Sequence, residues 1–65
     1  MMIIFIEKTN KKIRKKFNGT VGLLLKKLKI PPETVIVVRN RELIIEEDVL
    51  ADKDIIKIMS VISGG

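Results

Sequence analysis

The two glycines that close the sequence, Gly64 and Gly65, are the residues whose type and position point most directly to chemistry. A carboxylate at neutral pH is a poor electrophile, and its activation requires an oxygen held close to, and in line with, the α-phosphate of a nucleotide. A tail without side chains fits a narrow channel, and glycine adopts unusual backbone angles at least cost. The pair therefore suits a terminal carboxylate that is activated in such a channel, with Gly65 as the reacting residue and Ser63 and Ile62 at the channel mouth. The alternative is a frayed terminus that ends in glycine by chance.

The remaining composition excludes most other chemistry. The chain has no Cys and no His, so it carries no disulfide framework, no thiolate or zinc site and no Ser-His-Asp relay. Acidic residues are frequent between positions 46 and 54, but they lack the D-x-D-x-D-G spacing of a calcium loop, and we expect no metal. No general base, nucleophile or phosphate loop can be assembled, so the chain is not expected to be an enzyme.

Length and hydropathy limit the protein to a small domain. A chain of 65 residues forms one small core, which here must be built from Ile, Val and Leu. No apolar run approaches the roughly 18 residues of a membrane span, and residues 1–6 are too short for a signal peptide. We therefore expect a cytoplasmic, monomeric protein without membrane contact.

Hydrophobic periodicity predicts five strands and one helix. The strands are expected at residues 2–7, 11–17, 35–39, 43–45 and 55–61, and the helix at 21–29. The first strand is apolar throughout, which favours burial on both faces. Thr20 is the expected helix N-cap, and the apolar stripe of the helix consists of Val21, Leu24, Leu25 and Leu28. Residues 46–54 are expected to form a polar loop with Val49 and Leu50 as an apolar plug.

The order β-β-α-β-β-β predicts the topology. The first and last strands are the most apolar, so we place them side by side in the centre, where they run parallel. A parallel pair needs a covering connection, and the amphipathic helix supplies it. The expected fold is α+β, a β-grasp with a mixed sheet and one helix on one face. Residues 1–61 would form this single domain, and residues 62–65 a flexible tail.

Three stretches carry a family resemblance: TVGLLLKKL (20–28), PETVIVVRN (32–40) and ADKDIIKIMSVISGG (51–65). Together they resemble the ThiS/MoaD sulfur carriers of the ubiquitin-like superfamily, and the likeness covers nearly the whole chain. Its most specific element is the Asp52-Lys53-Asp54 turn before an alternating strand that ends in Gly-Gly. Lys53 stands where the family usually has glycine, and the basic first hairpin is not typical of bacterial members.

The resemblance implies a mechanism and a set of partners. An adenylating enzyme activates the carboxylate of Gly65 with ATP, and a sulfur donor converts the acyl-adenylate to a thiocarboxylate. The acceptor would be a thiazole synthase, the large subunit of molybdopterin synthase or a tRNA thiolase. Archaeal modifiers of this type can also be joined to lysines of other proteins, so a protein modifier is the alternative function. No cofactor is expected to bind the carrier itself.

Strand alternation predicts a docking patch. If Ile56 and Ile58 face the helix, then Met59 and Val61 face away from it. The same alternation in the third strand leaves Ile36 and Val38 outside, while Val35 and Val37 face the core. The expected apolar docking patch is Ile36, Val38, Met59 and Val61, close to the tail. A shift of one residue in strand register would exchange the faces.

The first hairpin is the other candidate feature, because six Lys or Arg residues lie between positions 8 and 16. Such a run could contact phosphate-bearing partners, which leaves a small nucleic-acid-binding domain as a further alternative. The favoured interpretation is an edge strand whose lysines oppose edge-to-edge aggregation.

Overall fold

The computed structural model describes residues 1–61, and the predicted tail at 62–65 lies outside the described residues. The described chain contains seven strands, one α-helix and a short 3₁₀ helix at Pro32–Thr34. The strands are β1 (Met2–Ile6), β2 (Lys11–Lys15), β3 (Gly19–Thr20), β4 (Val35–Arg39), β5 (Glu42–Ile44), β6 (Val49–Leu50) and β7 (Ile55–Ser60), and the helix α1 is Val21–Lys27. No helix within residues 1–61 is long and apolar enough to cross a membrane.

The main sheet has five strands in the order β2-β1-β7-β4-β5. The first and last strands lie side by side and parallel, with Ile4 opposite Ile56 and Ile6 opposite Ile58. β7 pairs antiparallel with β4 on its other side. The predicted mixed sheet with a central parallel pair is confirmed, and with one helix on one face it has the β-grasp arrangement.

Helix α1 begins and ends with hydrogen bonds that satisfy its terminal backbone groups. The N–H of Leu23 donates to Oγ1 of Thr20 at 3.3 Å, as predicted for the N-cap. At the other end, the N–H of Ile30 donates to the carbonyl of Leu25 and that of Lys29 to the carbonyl of Lys26. This pair of bonds is a Schellman motif, and the helix ends at Lys27, two residues earlier than predicted.

The core lies between α1 and one face of the sheet. The predicted stripe of α1 supplies Val21, Leu24 and Leu25 as buried residues, with Leu28 packed against them. The sheet contributes the inward residues of alternate positions, among them Met2, Ile4, Val37, Ile44, Ile56 and Ile58. The predicted inward faces of the third and last strands are therefore confirmed.

The predicted polar loop at 46–54 contains an additional strand. β6 pairs antiparallel with β3 in a separate two-stranded sheet, with Gly19 opposite Leu50 and Thr20 opposite Val49. Leu50 is buried, but Val49 is 68% exposed. The prediction that both residues form an apolar plug is therefore correct only for Leu50, because successive side chains of a strand point to opposite sides.

Several strand boundaries also differ from the predictions. β1 ends at Ile6, β2 ends at Lys15, β5 starts one residue earlier at Glu42, and β7 ends at Ser60. The prediction that the first strand is covered on both faces is wrong: Ile3 is half-buried and Phe5 exposed. Because the single helix covers only one face of the sheet, the apolar composition of β1 does not mean that both of its faces are buried.

Candidate docking face and tail

The helix-free face of the sheet carries the outward residues of β1, β7 and β4. Because Ile4, Ile56 and Val37 are buried under α1, their alternate neighbours project from the opposite face. These neighbours are apolar at most central positions: Ile3 and Phe5 on β1, Ile55 and Met59 on β7, Ile36 and Val38 on β4. We call this set, together with Val61, the docking face.

The predicted patch lies within the docking face. Ile36 is the register partner of Met59, and Val38 is two positions farther along β4, opposite Lys57. Val61 follows β7, and its N–H donates to the carbonyl of Thr34 at 3.0 Å, so it continues along β4. The structure thus brings the four predicted residues together, with Ile36 and Val61 exposed and Val38 and Met59 half-buried. Their role in docking stays a prediction.

Three further apolar residues of this face are absent from the predicted patch. Phe5, Ile3 and Ile55 extend it across β1 and toward the start of β7. The alternation in β7 extends to Ile55, whereas in β1 the structure shows that Ile3 and Phe5 alternate with the buried Met2 and Ile4. An all-apolar strand hides this alternation, because its composition equally fits a strand covered on both sides.

A shallow depression of about 840 Å³ extends across this face from β2 to the turn after β4. Phe5, Val38 and Ile55 line its apolar part, and Lys12, Lys57 and Arg41 are among its charged lining. The Nζ atom of Lys12 lies 5.7 Å from the centroid of the Phe5 ring, and Lys57 Nζ lies 4.0 Å from Glu7 Oε2. This depression in the docking face therefore combines apolar side chains with mainly cationic ones.

The tail residues Ile62, Ser63, Gly64 and Gly65 lie outside the described part of the chain, so their predicted roles stay predictions. The described chain leads up to them at Val61. Because Val61 is bonded to Thr34, next to the start of β4, the tail follows from the end of the sheet where Ile36 and Met59 lie. A partner that contacts this end of the docking face is thus well placed to receive the tail.

Residues 1–61 contain no cluster of three or more acidic side chains that could hold a metal ion. Two acidic residues near β6 instead serve local structure. Asp48 Oδ2 accepts a hydrogen bond from the N–H of Ile45, and Asp54 Oδ2 accepts one from the N–H of Ala51, both at 2.8 Å. These carboxylates hold the turns on either side of β6.

Comparison with known proteins gives two concordant matches. The ThiS family matches residues 4–65, a range that includes both glycines of the tail. The chain is also similar to the sulfur carrier protein TtuB of Thermus thermophilus, with 34% identity over 65 residues, covering 100% of each chain. The ubiquitin-like β-grasp and the resemblance stated from the sequence are both confirmed: the chain belongs to the ThiS family.

Proposed function

We propose that this protein is a sulfur carrier whose Gly65 carboxylate is adenylated and then converted to a thiocarboxylate. The carboxylate oxygen attacks the α-phosphate of ATP, which a partner enzyme binds, and pyrophosphate leaves. Hydrosulfide supplied by a donor then displaces AMP at the carbonyl carbon, which gives the thiocarboxylate. The chain itself catalyses no step; it presents the reacting group and the surface by which partners hold it.

The observation that carries this proposal is the family match, which extends through Gly64 and Gly65 to the last residue. The relative of the same length bears the name of a sulfur carrier, which supports the same function. The described fold adds a physical reason, since Ile36 and Met59 of the docking face lie at the end of the sheet from which the tail follows. This arrangement supports the proposal that one partner contacts the docking face and receives the tail.

The residues divide between reaction and recognition. Gly65 is the reacting residue, and Gly64 keeps the tail narrow enough for a nucleotide site, since glycine lacks a side chain and tolerates extended or unusual angles. Ser63 and Ile62 contact the channel mouth. Ile36, Val38, Met59 and Val61 form the contact with the activating enzyme and with the sulfur-acceptor enzyme, in which Met59 adapts to surfaces of different shape.

The test is the intact mass of the full chain after incubation with an activating enzyme of this family, ATP and a sulfur source. We expect the mass gain of one oxygen-to-sulfur exchange, dependent on ATP. Deletion of Gly65 should abolish it, while Leu23→Ser, an exposed change on α1, should leave it intact. An unchanged mass with active enzyme, or a gain that persists without Gly65, would exclude the proposal.

A further inference from the structure

A second groove lies on the opposite side of the sheet from the docking face. It has a volume of about 560 Å³ and is bounded by β2, the β1–β2 turn and the chain that follows α1. Its apolar lining comes largely from side chains that pack against the core without being fully buried: Ile6, Ile13, Leu28, Ile30 and Val35. The groove is thus an apolar surface that the small core leaves partly open.

The groove runs beside a free strand edge. β2 is the outermost strand of the sheet on this side. Within residues 1–61 it pairs only with β1, so its outer N–H and C=O groups are open to an added strand. Such an edge allows recognition by β-augmentation, in which backbone bonds supply affinity and pockets for alternate side chains supply specificity. Ile13, central in β2, lines the groove and would lie beside an added strand.

The charges at this site select the kind of strand that can bind. Lys8, Lys11 and Lys29 line the groove, and no acidic residue within the described chain does. Four of the five residues of β2 are Lys or Arg. A second copy of β2 would therefore be repelled, as expected for a protected edge. An acidic strand is attracted by the same charges.

We propose that the β2 edge and this groove bind an extended, acidic segment of a partner protein. The segment pairs with β2, places apolar side chains in the groove and sets its carboxylates against Lys8, Lys11 and Lys29. A nucleic acid fits less well, because the apolar part of the groove lining is aliphatic, and within residues 1–61 the lining contains no aromatic side chain on which a base could stack.

The site is distinct from the docking face but is next to the start of the tail. Ser60, the last residue of β7, also lines the groove. A partner that holds the tail can therefore reach the groove with a neighbouring segment of its own chain. The binding itself requires no adenylation or sulfur, so it can be tested independently of the proposed function.

The test is an NMR titration of the full-length protein with a synthetic peptide in which alternating Val and Ile residues precede a run of Asp and Glu. We expect shifts of the amides in residues 11–15 and 28–30, and slower amide exchange along β2. The charge reversals Lys11→Glu and Lys29→Glu should weaken binding roughly tenfold each. Lys26→Glu is the matched control, since this exposed lysine of α1 does not line the groove, and it should leave the affinity nearly unchanged.

Three results would overturn the proposal. The first is equal binding of a peptide whose central residue is proline, because proline removes a backbone donor and strand pairing would then not contribute. The second is an RNA oligonucleotide that binds as tightly at the same amides, which would show attraction by charge alone. The third is a set of shifts confined to Phe5, Val38 and Lys57, which would assign the peptide to the docking face.

Discussion

At the scale of single residues, Lys29 has an unusual backbone. Its φ of 60° lies in the left-handed region, where residues other than glycine are disfavoured by contact between Cβ and the backbone. The Schellman motif at the end of α1 requires this conformation at the residue after the helix cap. Lysine therefore occupies a position where glycine is the usual residue, and its charge lies beside the groove at β2.

We expect Lys29→Gly to raise the free energy of unfolding by about 1 kcal/mol, because it removes this backbone strain. Lys26→Gly is the control, since it places glycine inside α1 and should lower stability by about 1 kcal/mol. Both are measured by urea denaturation. A Lys29→Gly variant that is no more stable than the natural chain would show that the turn carries no strain.

At the scale of elements, the short ribbon of β3 and β6 connects the chain before α1 to the segment between β5 and β7. Arg39, the last residue of β4, joins it: its Nη1 atom donates to the carbonyl of Val49 at 2.7 Å and lies 3.8 Å from Asp54 Oδ2. Leu50 inserts from the ribbon into the core and is only 1% exposed. Leu50 and Arg39 thus add to the strand pairing and the two carboxylate-bonded turns that hold this polar segment in place.

We expect Leu50→Ala to lower the free energy of unfolding by about 2–5 kcal/mol, the range for emptying a buried leucine site. The whole free energy of unfolding of a domain of this length is roughly 3–10 kcal/mol. The variant should therefore be largely unfolded on mild heating. Val49→Ala, one residue earlier and exposed, should change stability by less than about 0.5 kcal/mol. Thermal denaturation followed by circular dichroism compares the two, and equal losses would contradict the assigned burial.

At the scale of the whole molecule, the two faces of the sheet differ. One is covered by α1, whereas the docking face presents Ile36, Phe5 and Met59 without a covering element among residues 1–61. Apolar area of this kind that a small domain leaves exposed is typical of partner sites. Because the side chains of this face lie outside the core, replacing them should weaken partner binding more than it lowers the free energy of unfolding.

We expect Ile36→Ser to weaken binding to the activating enzyme by about tenfold, because it removes an exposed apolar side chain at the end of the docking face from which the tail follows. Leu23→Ser is the matched control: this leucine is also exposed but lies on α1. Isothermal titration calorimetry with the enzyme gives the dissociation constant of each variant. Equal weakening by the two changes would show that the enzyme does not select the docking face.

The local features of this protein were determined by the sequence itself. The stripe from Val21 to Leu28 predicted α1 and its buried side, Thr20 predicted the cap, and the alternation in β4 and β7 predicted the inward and outward residues. These features depend on residues that are close together in the chain, so the spacing of the apolar residues predicts them.

Only the tertiary structure decided what depends on residues far apart in the chain. The apolar run in β1 could not show that one of its faces is open, because coverage depends on where α1 lies. The pairing of Leu50 with Gly19, and the groove between β2 and the end of α1, likewise arise from elements brought together by the fold. A strand pattern specifies which residues share a face, but not what covers that face.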